Sequence, residues 1–135
     1  MDLQVGVKAL IRNNAGEYLF IRRKKLMAGD NQLRWDIPGG RIEPEETLVE
    51  ALRREIAEET DLELTKIIEL LDAQDIIIPK SQLHVVRLTY QVEVGKELRL
   101  GDEHTDHRWV SLMKSTDLFV DAQLHQVLTT LQKTN

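Results

Sequence analysis

The stretch "GGRIEPEETLVEALRREIAEETDL", Gly39 to Leu62, decides how the rest of the chain is read. A Gly-Gly turn opens it and one amphipathic helix fills the remainder. Thr47 and Glu50 fit a capping box, which predicts a helix start near Leu48. Leu48, Val49, Leu52 and Ile56 then form an apolar stripe for packing against a sheet. At about 100° per residue, Glu55 and Glu59 fall on the edge of that stripe, and Glu58 lies about 60° beyond Glu55. Three carboxylates therefore share one side of the helix end, and no lysine follows within the helix.

Electrostatics opposes this placement. Like charges one turn apart cost about 0.2–0.5 kcal/mol per pair. The negative end of the helix dipole adds about 0.3–1 kcal/mol for each carboxylate near it. Arg54 offsets part of this through Glu50 and Glu58, each four residues away. Most acidic helix faces are simply solvated. Here the carboxylates lie beside the apolar stripe rather than opposite it, which points to a bound divalent cation. Hard cations such as Mg²⁺ select oxygen ligands. Gly39 and Gly40, after Pro38, let the backbone turn sharply and approach a ligand closely, so a carbonyl can also face the metal.

The 135 residues predict a single domain spanning 1–135, with 41% hydrophobic and 30% charged residues. The net charge of −5 argues against general nucleic-acid binding. No apolar run is long enough for a membrane span, and no charged segment followed by an apolar stretch opens the chain. The chain has no cysteine, which excludes disulfides, thiolate catalysis and cysteine-based zinc sites and fits a cytoplasmic protein. A homodimer stays open.

"LQVGVKALIRN" reads as a strand and "YLFIRR" as a second, joined by "NNAGE" into a hairpin. "KKLMAGDNQLR" is a polar loop. Beyond the helix, "LELTKIIELLDAQDIII" is strand-like up to Pro79 and Lys80, "LHVVRLTYQVEV" alternates as a strand, and "HRWVSL" is a short last strand. "DAQLHQVLTTLQ" puts Leu124, Val127, Leu128 and Leu131 at helical spacing behind a cap at Asp121. Two helices among these strands predict an α/β sandwich, a mixed sheet with helices on both faces.

The residues of the quoted stretch resemble the Nudix box, the signature of the Nudix hydrolases. Gly40 opens it, Glu46 follows after five residues, and Arg54-Glu55 after seven more. Ile56 is the apolar position, Glu58-Glu59 follow Ala57, and Leu62 closes the box. One position departs: Asp61 stands where the family has its second glycine. Asp tolerates the positive φ expected there, so the helix end should survive the change.

The resemblance implies the family's α/β/α sandwich and hydrolysis of a nucleoside diphosphate linked to another group, with Mg²⁺ or Mn²⁺ as cofactor. It implies Glu55 and Glu59 as metal ligands, Glu58 as a third and the carbonyl of Gly40 as a further one. Arg54 is expected to orient the carboxylates. Glu103 stands where Nudix proteins often carry an additional acid, a metal ligand or general base, so Arg54, Glu55, Glu58 and Glu103 form the catalytic set. The expected substrate is a nucleoside triphosphate, cut to a monophosphate and pyrophosphate as in MutT-type members. An ADP-ribose or nucleotide-sugar pyrophosphatase and a non-catalytic nucleotide sensor are the alternatives. Loss of a glutamate usually marks such sensors, and all the glutamates are present here.

Outside the box, the basic run Arg22 to Lys25 makes Arg22 and Arg23 candidates for binding a polyphosphate, though such runs are commonly just solvated. Trp35, beside the glycine turn, is the aromatic residue expected to stack on a base. His104 and His107 are read as ordinary loop histidines rather than a zinc pair.

Overall fold

In the computed structural model, which describes residues 1–102 and 104–134, the capping box forms as read. Thr47 Oγ1 accepts from the Glu50 N–H at 3.1 Å and the Glu50 carboxylate accepts from the Thr47 N–H at 3.2 Å. This fixes the start of helix α1, Leu48–Thr60. Ala51, Leu52 and Ile56 are buried, whereas Val49 is exposed and lies outside the stripe assigned to it. Asp61 ends the helix at φ 59, the left-handed conformation anticipated for it, and its N–H donates to the Ala57 carbonyl at 3.0 Å.

Among the described residues seven strands form two sheets. β1 (Asp2–Ile11), β4 (Gly39–Arg41), β5 (Glu63–Ile78) and β6 (Leu83–Gly95) make a mixed sheet in the order β4-β1-β6-β5, with β1 and β6 parallel. β2 (Glu17–Arg23), β3 (Trp35–Asp36) and β7 (His104–Ser111) make an antiparallel sheet in the order β3-β2-β7. The expected hairpin of the first two strands is therefore not formed. An isolated Arg12–Tyr18 bridge and the Asn13 N–H bond to the Glu17 carbonyl join their ends. Asn13 explains the divergence: its side-chain oxygen accepts from the N–H groups of Ala15 and Glu17, closing a turn that sends the chain into the second sheet. β5 and β6 do form a hairpin, closed by Pro79–Ser81. A one-turn helix α2, Leu112–Ser115, follows β7, and α3, Ala122–Thr134, begins behind Asp121, whose carboxylate accepts from the Leu124 N–H at 2.7 Å.

Alternation along β1 builds the core. Val7, Ala9 and Ile11 pack with Leu19, Ile21 and α1, while Leu10 packs with Phe20, Trp35 and the α3 residues Leu124 and Leu128. The two sheets thus form a layer between α1 and α3, the α/β sandwich expected. Among the described residues no helix is long and apolar enough to cross a membrane.

The left-handed Asp61 gives a direct test. Asp61→Val, which places a β-branched residue at positive φ, should lower unfolding free energy by about 1–2 kcal/mol in urea denaturation. Asp61→Gly should be at least as stable as the natural chain. Equal losses in both variants would assign the effect to the lost carboxylate instead of the backbone.

Candidate active site

Two glycines bring β4 against the acidic end of α1. A Cβ at Gly39, whose φ is 153, would lie 2.1 Å from the Val7 carbonyl oxygen, and one at Gly40 would lie 2.6 Å from Glu55 Oε1. No other residue fits either position without displacing its neighbour. The Glu55 carboxylate rests against the Gly40 backbone, and Glu59 Oε2 accepts from the Gly39 N–H at 3.0 Å. The turn and the helix end are therefore one unit.

Arg54 organises the acids. Its Nε and Nη2 bind the two Glu46 oxygens at 2.6 and 2.9 Å, a bidentate pair. Nη1 donates to Glu55 Oε1 at 2.9 Å and to Glu58 Oε2 at 3.4 Å, and Nη2 to the Arg41 carbonyl at 3.1 Å. The Arg54 hydrogen bond holds Glu46 down at about 2, with the Glu43 N–H assisting, and Glu46 in turn raises Arg54. Glu59 behaves oppositely. Burial pushes it up to about 8, against the opposing pull of Lys8 and the Gly39 N–H, and Glu55 and Asp36 add to the rise.

Glu55, Glu58 and Glu59 line one side of a cleft of about 310 Å³, and Gly101, Asp102 and His104 line the other. The far side is pinned to the helix end. Gly101 N–H donates to the Glu59 carbonyl at 2.8 Å and Arg99 N–H to the Thr60 carbonyl at 2.7 Å, so the loop satisfies carbonyls that α1 leaves open. Among the described residues no three acidic or histidine side chains converge closely enough to hold an ion as they stand. Their present partners are Arg54 and the Gly39 N–H, so ion binding requires these side chains to turn. The donor chemistry of the helix side fits a hard cation: three carboxylates, one of them on a side chain that burial leaves short of positive charge.

A second cleft, of about 280 Å³, opens beside the Gly39–Gly40 turn and is lined by Lys8, Arg23, Arg41 and Arg87. Lys8 Nζ donates to Asp36 Oδ2 at 3.0 Å and to the Ile37 carbonyl at 3.3 Å, and Arg23 stands 3.5 Å from the same carboxylate. Burial alone would raise Asp36, yet Lys8, the Ile37 N–H and Arg87 hold it below the ordinary carboxylate value. Arg87 is fixed by Asp121 at 2.9 Å. Sequence reading missed Lys8, Asp36 and Arg87. The signal available was a lysine and an arginine inside otherwise apolar strands.

Arg23 reaches this cleft; Arg22 and Trp35 do not. Adjacent strand residues face opposite sides, and Arg22 pairs across the ladder with Trp35. Trp35 is 6% exposed, with the guanidinium of Arg22 5.5 Å from its ring centroid and that of Arg108 4.9 Å away. Its ring packs with the α3 residues Leu124 and Leu128. Of the three residues read as substrate-binding, Arg23 lines this cleft, while Arg22 and Trp35 lie against each other. Glu103, the expected additional acid, lies outside the described residues. His104 lines the acidic cleft, whereas no zinc-holding group of three ligands exists among the described residues.

Comparison with known proteins bears on the whole arrangement. The nucleoside triphosphatase NudI of Escherichia coli strain K12 is 34% identical over 113 residues, 75% of this chain and 77% of that protein. The crystal structure of the MutT protein from Methanosarcina mazei Go1 superposes with a TM-score of 0.83 at 28% identity, covering 98% of this chain and 95% of that one. A MutT NUDIX hydrolase from Burkholderia pseudomallei gives 0.79 at 27% identity, covering 96% and 98%. With a NUDIX domain model matching residues 2–130 and Glu55, Glu58 and Glu59 at one cleft, the chain belongs to the NUDIX family, as a hydrolase acting on phosphoric anhydride bonds.

Proposed function

We propose that the chain hydrolyses a nucleoside triphosphate to a nucleoside monophosphate and pyrophosphate, dependent on Mg²⁺ or Mn²⁺. The observation that carries the reading is the placement of Glu55, Glu58 and Glu59 on one side of a cleft against the glycine turn, with Glu59 buried and pushed up to about 8. Such a group calls for a cation next to it. The relative NudI, named as a nucleoside triphosphatase, supports the substrate class.

Glu55, Glu58, Glu59 and the Gly40 carbonyl would hold the ion. A bound divalent ion supplies positive charge against the anhydride oxygens. Arg54, tied to Glu46, holds Glu55 and Glu58 in place instead of touching substrate. The cations of the neighbouring cleft, Lys8, Arg23, Arg41 and Arg87, receive the nucleotide beside its α-phosphate and orient the anhydride toward the acids. Glu103, by its sequence position, is the candidate to take the proton from the attacking water.

Two measurements test this. Purified protein with Mg²⁺ should convert nucleoside triphosphates to monophosphate and pyrophosphate, read by mass spectrometry across a panel that includes ADP-ribose and nucleotide sugars. Glu59→Gln should lower turnover by about a hundredfold or more while leaving the circular dichroism unchanged. Cleavage of ADP-ribose or a nucleotide sugar in preference would replace the triphosphate reading, and nucleotide binding without any cleavage would make the chain a sensor.

The second concerns stability. Glu59 rises from 4.5 to about 8 on folding, so folding favours its protonated form. Its contribution is complete below pH about 4.5 and is lost as pH rises through about 8. Glu46 titrates near 2 and stays ionised across that window. Melting temperature of the metal-free protein should therefore fall between about pH 5 and 8, Mg²⁺ should restore it at the upper end, and Glu59→Gln should abolish both effects. A Mg²⁺ response that persists in Glu59→Gln would remove Glu59 from the ligand set.

A further inference from the structure

A third cleft, of about 320 Å³, is lined by Arg23, Lys24, Lys25, Asp102 and His104. It shares Arg23 with the strand-floored cleft and Asp102 and His104 with the acidic one. The three clefts thus adjoin one another, and an anhydride lying against the glycine turn has two directions in which to extend. Their walls differ. The strand-floored cleft carries apolar side chains, Val5, Val7 and Val85, among its cations. Every side chain lining the third is polar or charged, with three cations against one carboxylate in a chain of net charge −5.

Arg23 adds an independent sign. Its Nε is buried and meets no hydrogen-bond partner among the described residues, although its Nη1 reaches Asp36. A buried donor left unmet costs about 1–3 kcal/mol, so an oxygen-rich ligand at this junction would relieve it. Lys24 and Lys25 are exposed and form no ion pair among the described residues.

We infer that Arg23, Lys24 and Lys25 form the subsite for the terminal pyrophosphate end of a nucleoside triphosphate, with the nucleoside end lying in the strand-floored cleft. The inference rests on the triphosphatase reading and gives it a direction. Water adds across the bond between the α- and β-phosphates, OH to one phosphorus and H to the released oxygen. The fragment that leaves as pyrophosphate is the one these cations hold. A nucleoside diphosphate and a nucleotide sugar each place a single phosphate there, so both make fewer of these contacts.

The test uses the full chain with Lys24→Ala/Lys25→Ala, and Lys80→Ala on the Pro79–Ser81 turn as a control for bulk charge. kcat/KM is measured for a nucleoside triphosphate, the matching diphosphate and a nucleotide sugar, and inorganic pyrophosphate binding is measured by calorimetry. The double variant should lose roughly five- to thirtyfold on the triphosphate and in pyrophosphate affinity, with the other two substrates within about twofold. Lys80→Ala should change none of them. Unchanged pyrophosphate affinity, an equal loss on all three substrates, or an equal loss in Lys80→Ala would each overturn the subsite. A natural chain that cleaves no anhydride would sink the hydrolase reading, while calorimetry would still judge the subsite.

Discussion

The arrangement depends on one exclusion: nothing larger than hydrogen fits between residue 40 and the Glu55 carboxylate. A Cβ there would push β4 off the end of α1. The Gly39 N–H would then lose Glu59, and the Arg41 carbonyl would lose Arg54. Because β4 is an edge strand held by β1 through three residue pairs, the helix end is its second support. Strand placement and acid placement are thus the same fact. Arg54 completes the unit from the other side by joining Glu46, Glu55, Glu58 and the Arg41 carbonyl in one guanidinium plane.

This explains how a helix tolerates carboxylates at its negative end. Arg54 offsets the charge of Glu46, Glu55 and Glu58, while Glu59, beyond its reach, is held by one backbone N–H and lies within the field of Lys8. The loop at Arg99–Gly101 contributes as well, because its N–H groups meet the carbonyls of Glu59 and Thr60 where the dipole ends. One acid of the unit, Glu59, is inclined by its burial to stay protonated. That inclination is the property a cation reverses.

What could be read from the sequence was local. The capping box, the left-handed Asp61 and the spacing of the glutamates each involve residues within one turn or so, where helix geometry fixes the outcome. What could not be read depends on partners far along the chain. The parallel pairing of β1 with β6 decides that Lys8 and Arg87 line one cleft, and no local pattern announces it. The Asn13 turn resembles a hairpin turn in composition, yet it diverts β2 to the other sheet. Arg22 and Arg23 mark the boundary between the two cases. Alternation says that only one of two neighbours can face a given side, but which one follows from the pairing of Arg22 with Trp35.

The distribution of charge carries the last step. The cations of the basic clefts stand on strands and on the turn after β2, and the acids stand on a helix end, with Gly39 and Gly40 between them. Lys8 works on both sides, since its ammonium is fixed by Asp36 in the basic cleft while its field reaches Glu59 in the acidic one. If Lys8 were free to move, Glu59 would rise further and the basic cleft would lose its floor. Asp36 prevents this by keeping its charge while buried, so a residue that lines neither cleft sets the electrostatic balance between the two.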